Sequence, residues 1–364
     1  MKITIPTLLV DKKKIFENIK FMSDKAKRHN LIFRPHLKTP QAIKAAQWYR
    51  EFRIDKVTVS SLRMAEYFAA DGWNDITVAF PVNVLEFDRI NMLANKITLN
   101  ILITNKDSVT ILNKNLDHKV NFFIKIDTGT HRTGIEIKNK YQIDEILNAS
   151  KKKGKLIFKG FLAHSGHTYK AKSVEAVKQI HEESLTILSE LKNIYKKDYP
   201  DIIISVGDTP SCSLMENFAG ADEIRPGNFI FYDLQQWKNG SCTMDKIAVA
   251  MACPVVSKNE GRKEVLIYGG GIHFSKDSFQ LEDGTVSFGY TANLTENGWQ
   301  IPDKKSYVSS LSQEHGIIKA SDEFFRNTNV GDVISILPAH SCMTVNCMGR
   351  YYTLEGEEIT VMKN

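Results

Sequence analysis

The chain is expected to fold as an α/β protein: a (β/α)8 TIM-type barrel followed by a second, C-terminal all-β domain that also takes in the N-terminal strand. Three observations predict this. Eight short β-rich apolar runs, at 31–33, 56–60, 75–80, 98–103, 121–127, 156–164, 201–206 and 223–232, alternate with polar, helix-like segments. That alternation is the mark of a parallel barrel, whose working residues come from the carboxyl ends of its strands. After about residue 240 the helical segments stop and apolar runs follow one another across short polar turns. The run 6–10 precedes the first helical stretch, so it falls outside the barrel and is assigned to the β domain.

Each element follows from its residues in order. After 6–10 comes a helix over 12–30, and then the barrel strands begin. The most regular later helix is expected over 173–197, where Val174, Val177, Ile180, Leu185, Leu188 and Leu191 recur every three to five residues. In the second domain the runs 246–256 and 263–268 flank the turn-like Lys258-Asn259-Glu260-Gly261, and further strands are expected at 333–337, 351–354 and 359–362. The expected domains are 12–240 for the barrel, and 1–11 with 241–364 for the β domain. No internal repeat beyond the βα unit and no low-complexity segment is present.

Composition narrows the function. The 364 residues are 42% hydrophobic and 25% charged, enough to bury a barrel core and a second, smaller one. The net charge of +6 comes from 48 Lys and Arg against 42 Asp and Glu. The lysines are scattered among acidic residues rather than gathered in a stripe, so no nucleic-acid partner is expected. No apolar stretch approaches membrane-spanning length, and Met1-Lys2-Ile3-Thr4-Ile5-Pro6 lacks the apolar core of a signal peptide. The expectation is a cytoplasmic protein with no membrane partner. Cys212, Cys242, Cys253, Cys342 and Cys347 are odd in number and widely spread, which argues against a disulfide framework and for thiolate ligand or nucleophile roles.

The run Leu31-Ile32-Phe33-Arg34-Pro35-His36-Leu37-Lys38 ends in a row of cations. Read as a strand, it places Arg34, His36 and Lys38 on one face. Like charges crowded together favour the neutral amine, which is what Lys38 needs to form an imine with a carbonyl cofactor. Plain solvent capping of a strand end would give the same residues.

The seventh and eighth strand ends have the composition of an anion cradle. In Ser205-Val206-Gly207-Asp208-Thr209-Pro210-Ser211, Gly207 permits a tight turn and Thr209 is placed as N-cap with Pro210 at the first helical position. In Arg225-Pro226-Gly227-Asn228, Gly227 lets backbone approach an anion closely, where barrels commonly hold phosphate. Either loop alone is also an ordinary turn. At the fifth strand end, Arg132 lies between Gly129 and Gly134; it can meet a ring nitrogen or a carboxylate, or simply pair with Asp127. The sixth runs into His164-Ser165-Gly166-His167-Thr168-Tyr169, suited to an aromatic cofactor or to proton transfer, with a core histidine as the plainer reading of His164. In the β domain His340 and Cys342 stand two apart, on one face if extended, an imidazole–thiolate pair that suits zinc and leaves positions open for substrate. Cys347 and the cluster Glu314-His315-Gly316 have no assigned place.

Together, Pro6-Thr7, Arg34 to Thr39, Asp127 to Gly134, His164 to Tyr169, Arg225 to Asn228, Glu314 to Gly316 and Pro338 to Cys342 resemble the D-serine dehydratase and D-threonine aldolase family. The likeness runs in order through nearly the whole chain. It implies an alanine-racemase-like enzyme of the fold-type III pyridoxal-phosphate class, a barrel plus β domain working as a cytoplasmic homodimer on a small D-amino acid. Lys38 would be the Schiff-base lysine, with His36, Arg132, His164 and Tyr169 around the cofactor. Gly207, Thr209, Gly227 and Asn228 would hold its phosphate. His340 and Cys342 would hold a divalent metal, zinc first, with manganese or magnesium as substitutes. The resemblance favours the dehydratase form, His-x-Cys, over the His-x-Asp that aldolases more often show. One departure is the run Thr39-Pro40-Gln41, where the family commonly has Thr-His-Lys.

The implied reaction is elimination of water from a D-3-hydroxy amino acid such as D-serine, giving a 2-oxo acid and ammonia. Lys38 would act as base and the metal would polarise the β-hydroxyl. The alternative at the same site is D-threonine aldolase chemistry, giving glycine and an aldehyde. An amino-acid racemase, a non-catalytic pyridoxal-phosphate carrier and a cofactor-free metal hydrolase are further alternatives.

Overall fold

A computed structural model describes residues 2–302 and 304–363. By compactness it divides into two units: residues 21–38 with 49–227, and residues 1–20 with 39–48 and 228–364.

The first unit is the barrel. Its eight strands, Ile32–Phe33, Lys56–Val59, Asp75–Pro81, Thr98–Ile103, Val120–Lys125, Leu156–Leu162, Ile203–Val206 and Glu223–Ile224, are all parallel, and from the second onward each pairs with the next in sequence. The last pairs with the first, Phe33 opposite Ile224. Closure between first and second strands lies beyond Phe33: Leu37 N donates to Thr58 O at 2.8 Å and Thr58 N to Pro35 O at 2.9 Å, with His36 opposite Thr58. Every expected barrel strand is present, because continuous apolar runs are what a strand buried on both faces requires. Leu102, Phe123 and Leu162 pack inside the barrel with Ala79 and Ile203. The eighth strand is shorter than the expected 223–232. After Ile224 the chain leaves the sheet, and Asn228–Ile230 forms a 3-10 turn.

The helices follow their apolar spacing. Lys12–Arg28 buries Ile15, Ile19, Met22 and Ala26, at intervals of four, three and four, and Asp11 caps it by accepting from Lys14 N at 3.1 Å. Val174–Tyr195 is capped by Ser173 and buries Val177, Leu185, Leu188 and Leu191. Among the described residues no helix is long and apolar enough to cross a membrane.

The second unit is built on one antiparallel sheet. Six strands, Val249–Asn259, Glu264–Tyr268, His315–Lys319, Tyr307–Leu311, Gly289–Ala292 and Val333–Pro338, pair in a closed ring. The eleven-residue Val249–Asn259 closes the ring by pairing its later half with Glu264–Tyr268 and Met251 to Pro254 with Val333–Pro338, and its first residues also pair with Thr7–Val10. Thr7–Val10 therefore joins the β unit as expected, with Thr7 opposite Ala252 on one side and Leu9 parallel to Tyr352 on the other. Strands Gly289–Ala292, Tyr307–Leu311 and His315–Lys319 were absent from the sequence expectation. They are four or five residues long and interrupted by Gly and Ser, too short for an alternating pattern to stand out. The cluster Glu314-His315-Gly316 is where the chain turns into the last of them.

Candidate functional site

A cavity of about 400 Å³ opens in the barrel unit, lined by His36, Lys38, Arg132, His164, Tyr169, Gly207 and Gly227 of the expected site residues. Lys125, Asp208 and Arg225 line it as well, and none of the three was singled out from sequence. All lie at or just beyond the carboxyl ends of barrel strands, so the rule that locates barrel sites would have found them had it been applied to each strand end in turn.

Lys38 does not continue a strand with Arg34. Regular pairing of the first strand covers only Ile32–Phe33, and Arg34 turns to carboxylates: Nε to Glu223 Oε2 and Nη1 to Asp75 Oδ1, both at 2.6 Å. Burial would lower its pKa, but these two partners hold it up and keep it charged. Arg34 therefore does not supply the expected crowding. The cations around Lys38 come from other strands. His36 is pushed well below its ordinary pKa by burial and then by Lys38 and Arg225. His164 is lowered to about 3 by burial and the Lys38, Arg132 and Lys125 charges, against a raising bond to Gly207 O. Both imidazoles are neutral at pH 7. Their tautomers follow from their hydrogen bonds. His36 Nδ1 accepts from Lys38 N at 3.2 Å, so its proton sits on Nε2; His164 Nδ1 donates to Gly207 O at 3.0 Å, leaving Nε2 as an acceptor.

Lys125 ends the fifth strand, is 5% exposed, and donates to Ile126 O at 2.7 Å. Burial, then Arg225, lowers it to about 7, with Asp127 opposing. Arg225 is buried and donates to Ser205 Oγ, to Val206 O at 3.0 Å and to Ala163 O at 2.7 Å. Burial lowers its pKa to about 10 against the Glu223 charge. The wall is thus basic, with Asp208 as the one carboxylate among the lining residues.

On the seventh loop, Gly207 has φ +143° and a Cβ there would strike the Arg225 backbone, so only glycine fits. Asp208, not Thr209, is the N-cap of helix Thr209–Leu214: its Oδ1 accepts from Ser211 N at 2.8 Å and from Thr168 Oγ1 at 2.8 Å. A carboxylate one residue earlier reaches N3 better than the Thr209 hydroxyl, which is freed. Thr209 Oγ1 and Ser211 Oγ are both buried with no protein partner. Tyr169 is tied to this loop, its hydroxyl accepting from Thr209 N at 3.2 Å. Two orphaned buried hydroxyls beside a glycine turn fit a phosphate, because a buried polar group without a partner is costly.

In the other unit, His340 and Cys342 are not on an extended stretch. The strand Val333–Pro338 ends, His340 is the N-cap of helix Ser341–Met348, and Cys342 sits in its first turn. The pair still converges, because residues at a cap and in the first turn lie close. Burial alone would lower the His340 pKa, but Cys342 and Asp233 raise it to about 11. Cys342 Sγ lies 3.1 Å from Thr39 Oγ1 and 3.6 Å from Asn228 Nδ2. Asn228 faces this cluster with its side-chain nitrogen, which donates to Asp233 and Ser341. No group of three or more His, Cys, Asp or Glu side chains that could hold a metal occurs among the described residues. A His–Cys pair with open positions is the donor set present, and it fits a cation that also takes water or substrate.

Residues 10–235 match the family model described as "Alanine racemase, N-terminal domain", and 248–354 match "Putative serine dehydratase domain". The chain belongs to the alanine-racemase-like family, and its later part carries the serine dehydratase domain. Its relatives agree. A "D-serine dehydratase" of Dictyostelium discoideum is 27% identical, covering 97% of this chain and 93% of the relative. The "D-threo-3-hydroxyaspartate dehydratase from Delftia sp. HT23" superimposes with TM-score 0.91 at 21% identity, covering 100% and 98%; its cysteine-to-alanine variant "in the metal-free form" gives 0.92 at 20% over the same shares. A "D-threonine aldolase from Filomicrobium marinum" gives 0.79 at 16%, covering 99% and 98%. These superpositions establish the alanine-racemase-like fold. With the family assigned, the protein is an enzyme of the lyase type.

Proposed function

We propose that this enzyme is a pyridoxal-phosphate- and divalent-metal-dependent lyase that removes water from a D-3-hydroxy amino acid of the D-serine class, releasing a 2-oxo acid and ammonia. The observation that carries the reading is the cavity, lined by Lys38, a basic wall and two neutral imidazoles, whose loop Gly207-Asp208 leads into the orphaned hydroxyls of Thr209 and Ser211. Lys38 would hold the cofactor, Thr209, Ser211 and the Gly207 and Gly227 backbone its phosphate, and Arg132, His164 and Tyr169 its ring. When bound, pyridoxal phosphate supplies an electron sink for the pair left behind by the substrate's α-proton.

The chain's own groups do the rest. The Lys38 amine takes the α-proton, and the neutral imidazoles of His36 and His164 line the cavity beside it. The basic wall binds the substrate carboxylate. His340 and Cys342 would hold a divalent cation, zinc suiting an imidazole–thiolate pair, which supplies Lewis acidity toward a hydroxyl. Lys38 is followed directly by Thr39, whose hydroxyl bonds Cys342. A homodimer acting on the free amino acid, without nucleic acid or membrane, completes the reading.

The aldolase reading stands second, favoured by the superposition on a D-threonine aldolase and by a 23% identical "3-hydroxy-D-aspartate aldolase" of Paracoccus denitrificans. One experiment separates them. The purified enzyme is incubated with D-serine, D-threonine and D-threo-3-hydroxyaspartate, with zinc, with manganese or after exhaustive chelation. Ammonia and a 2-oxo acid without glycine, lost on chelation and in Lys38→Ala, is the expected result. Glycine with an aldehyde means the aldolase, and activity surviving chelation means a racemase or another metal-free chemistry.

A further inference from the structure

Asp233 begins the helix Leu234–Lys238 and is fully buried. Its two oxygens have different work. Oδ1 accepts from Gln236 N at 3.0 Å and caps the helix. Oδ2 accepts from Asn228 Nδ2 at 2.6 Å, from Ser341 N at 2.9 Å and from Ser341 Oγ at 3.1 Å, and lies 3.4 Å from His340 Nδ1. Every partner of Oδ2 is therefore His340, its neighbour Ser341, or Asn228, which also reaches Cys342 Sγ at 3.6 Å. No Lys or Arg pairs with Asp233 among the described residues.

A helix cap does not need a charge. Asn or Ser would cap as well as Asp, and a buried carboxylate is expensive unless something uses it. His340 Nδ1 is itself buried and makes no hydrogen bond at its present angle. The two unsatisfied demands answer each other. An imidazole that binds a metal through one nitrogen needs its other N–H held by an acceptor, which fixes both tautomer and ring orientation.

We infer that Asp233 is a positioning residue for the metal pair: it accepts a hydrogen bond from Nδ1–H of His340 and so commits Nε2 to the cation, while Asn228 and Ser341 tie the same carboxylate to Cys342. The inference rests on His340 and Cys342 being metal ligands. On this account the outer shell consists of Asp233, Asn228, Ser341 and the Thr39 hydroxyl at 3.1 Å from Cys342 Sγ. Asp233 is not among the residues lining the cavity and acts only through His340.

The test uses the holoenzyme and two readouts. Zinc affinity of wild type and Asp233→Asn is measured by competition with a chelating dye, alongside the visible absorbance of bound pyridoxal phosphate. The variant is expected to bind zinc about 10–100-fold more weakly, with cofactor absorbance unchanged and turnover recovering as zinc is raised. A merely structural role would lower stability and cofactor content together without shifting zinc affinity. The second readout needs no variant: nitrogen-15 spectra of histidine-labelled, zinc-loaded wild type should show His340 protonated on Nδ1. If Asp233→Asn does not fold, this measurement decides. Unchanged zinc affinity in the variant, or a proton on Nε2, overturns the inference while leaving the metal site standing. A wild type that binds no zinc removes both.

Discussion

Lys125 shows how much a single side chain depends on its surroundings. Its sequence position, at the end of an apolar strand, says only that a lysine stands at a barrel mouth. Burial and the nearby Arg225 lower it to about 7. A lysine so depressed binds its proton less readily folded than unfolded, where the ordinary value is about 10.4. Between pH 7 and about 10 the unfolded chain holds a proton the folded one has shed, so this group makes stability rise with pH. Lys125→Met should remove that contribution, flattening the stability–pH curve over this window by up to about 1.4 kcal/mol per pH unit. Denaturant titrations of both proteins from pH 7 to 10 check it; identical slopes would mean Lys125 keeps its charge. His36 and His164, by contrast, were legible as site residues from sequence. That both are neutral was not, because burial and the charges of Lys38, Arg132, Lys125 and Arg225 come from several strands.

Loops and short helices explain the corrections to the cradle and to the metal pair. The motif 205–211 carries the expected anion cradle, and its helix is capped by Asp208 rather than Thr209. Asp and Thr are both favoured caps, Asp the more so, and the actual turn decides which oxygen reaches Ser211 N. Asp208→Ala should cost about 1 kcal/mol through the lost cap and also weaken cofactor retention, since Thr168 and Ser211 lose their shared acceptor. Asp208→Asn should preserve most of both. Thermal melts paired with pyridoxal-phosphate titrations test this, and retention equal to wild type in Asp208→Ala would separate the cap from the cradle. The His340-x-Cys342 spacing was read as extended, yet a helix starts between them. Either geometry brings the two side chains together, although the conformation is a helix start and not the extended stretch expected.

At the scale of the molecule, the β unit is the clearest case of a fold completed from far along the chain. Thr7–Val10 is fully buried, paired with Val249–Asn259 on one side and with Arg350–Thr353 on the other. Deleting residues 2–10 should therefore expose two sheet edges and lower the thermal midpoint of the β unit, with aggregation on heating. A truncated protein melting like wild type would show the strand to be dispensable.

What the sequence determined by itself was the alternation of eight strands with helices, the change to a β unit after the barrel, the placing of 6–10 outside the barrel, and many of the polar residues lining the cavity, though not Lys125, Asp208 or Arg225. These are local patterns of apolar spacing and turn chemistry, carried by neighbouring residues. Only the tertiary structure decided the rest. Arg34 is claimed by Glu223 and Asp75, the cations around Lys38 are Lys125, Arg132 and Arg225, and Asp233 stands beside His340. Each depends on residues brought together from distant parts of the chain, and charge and burial act through space rather than along the backbone.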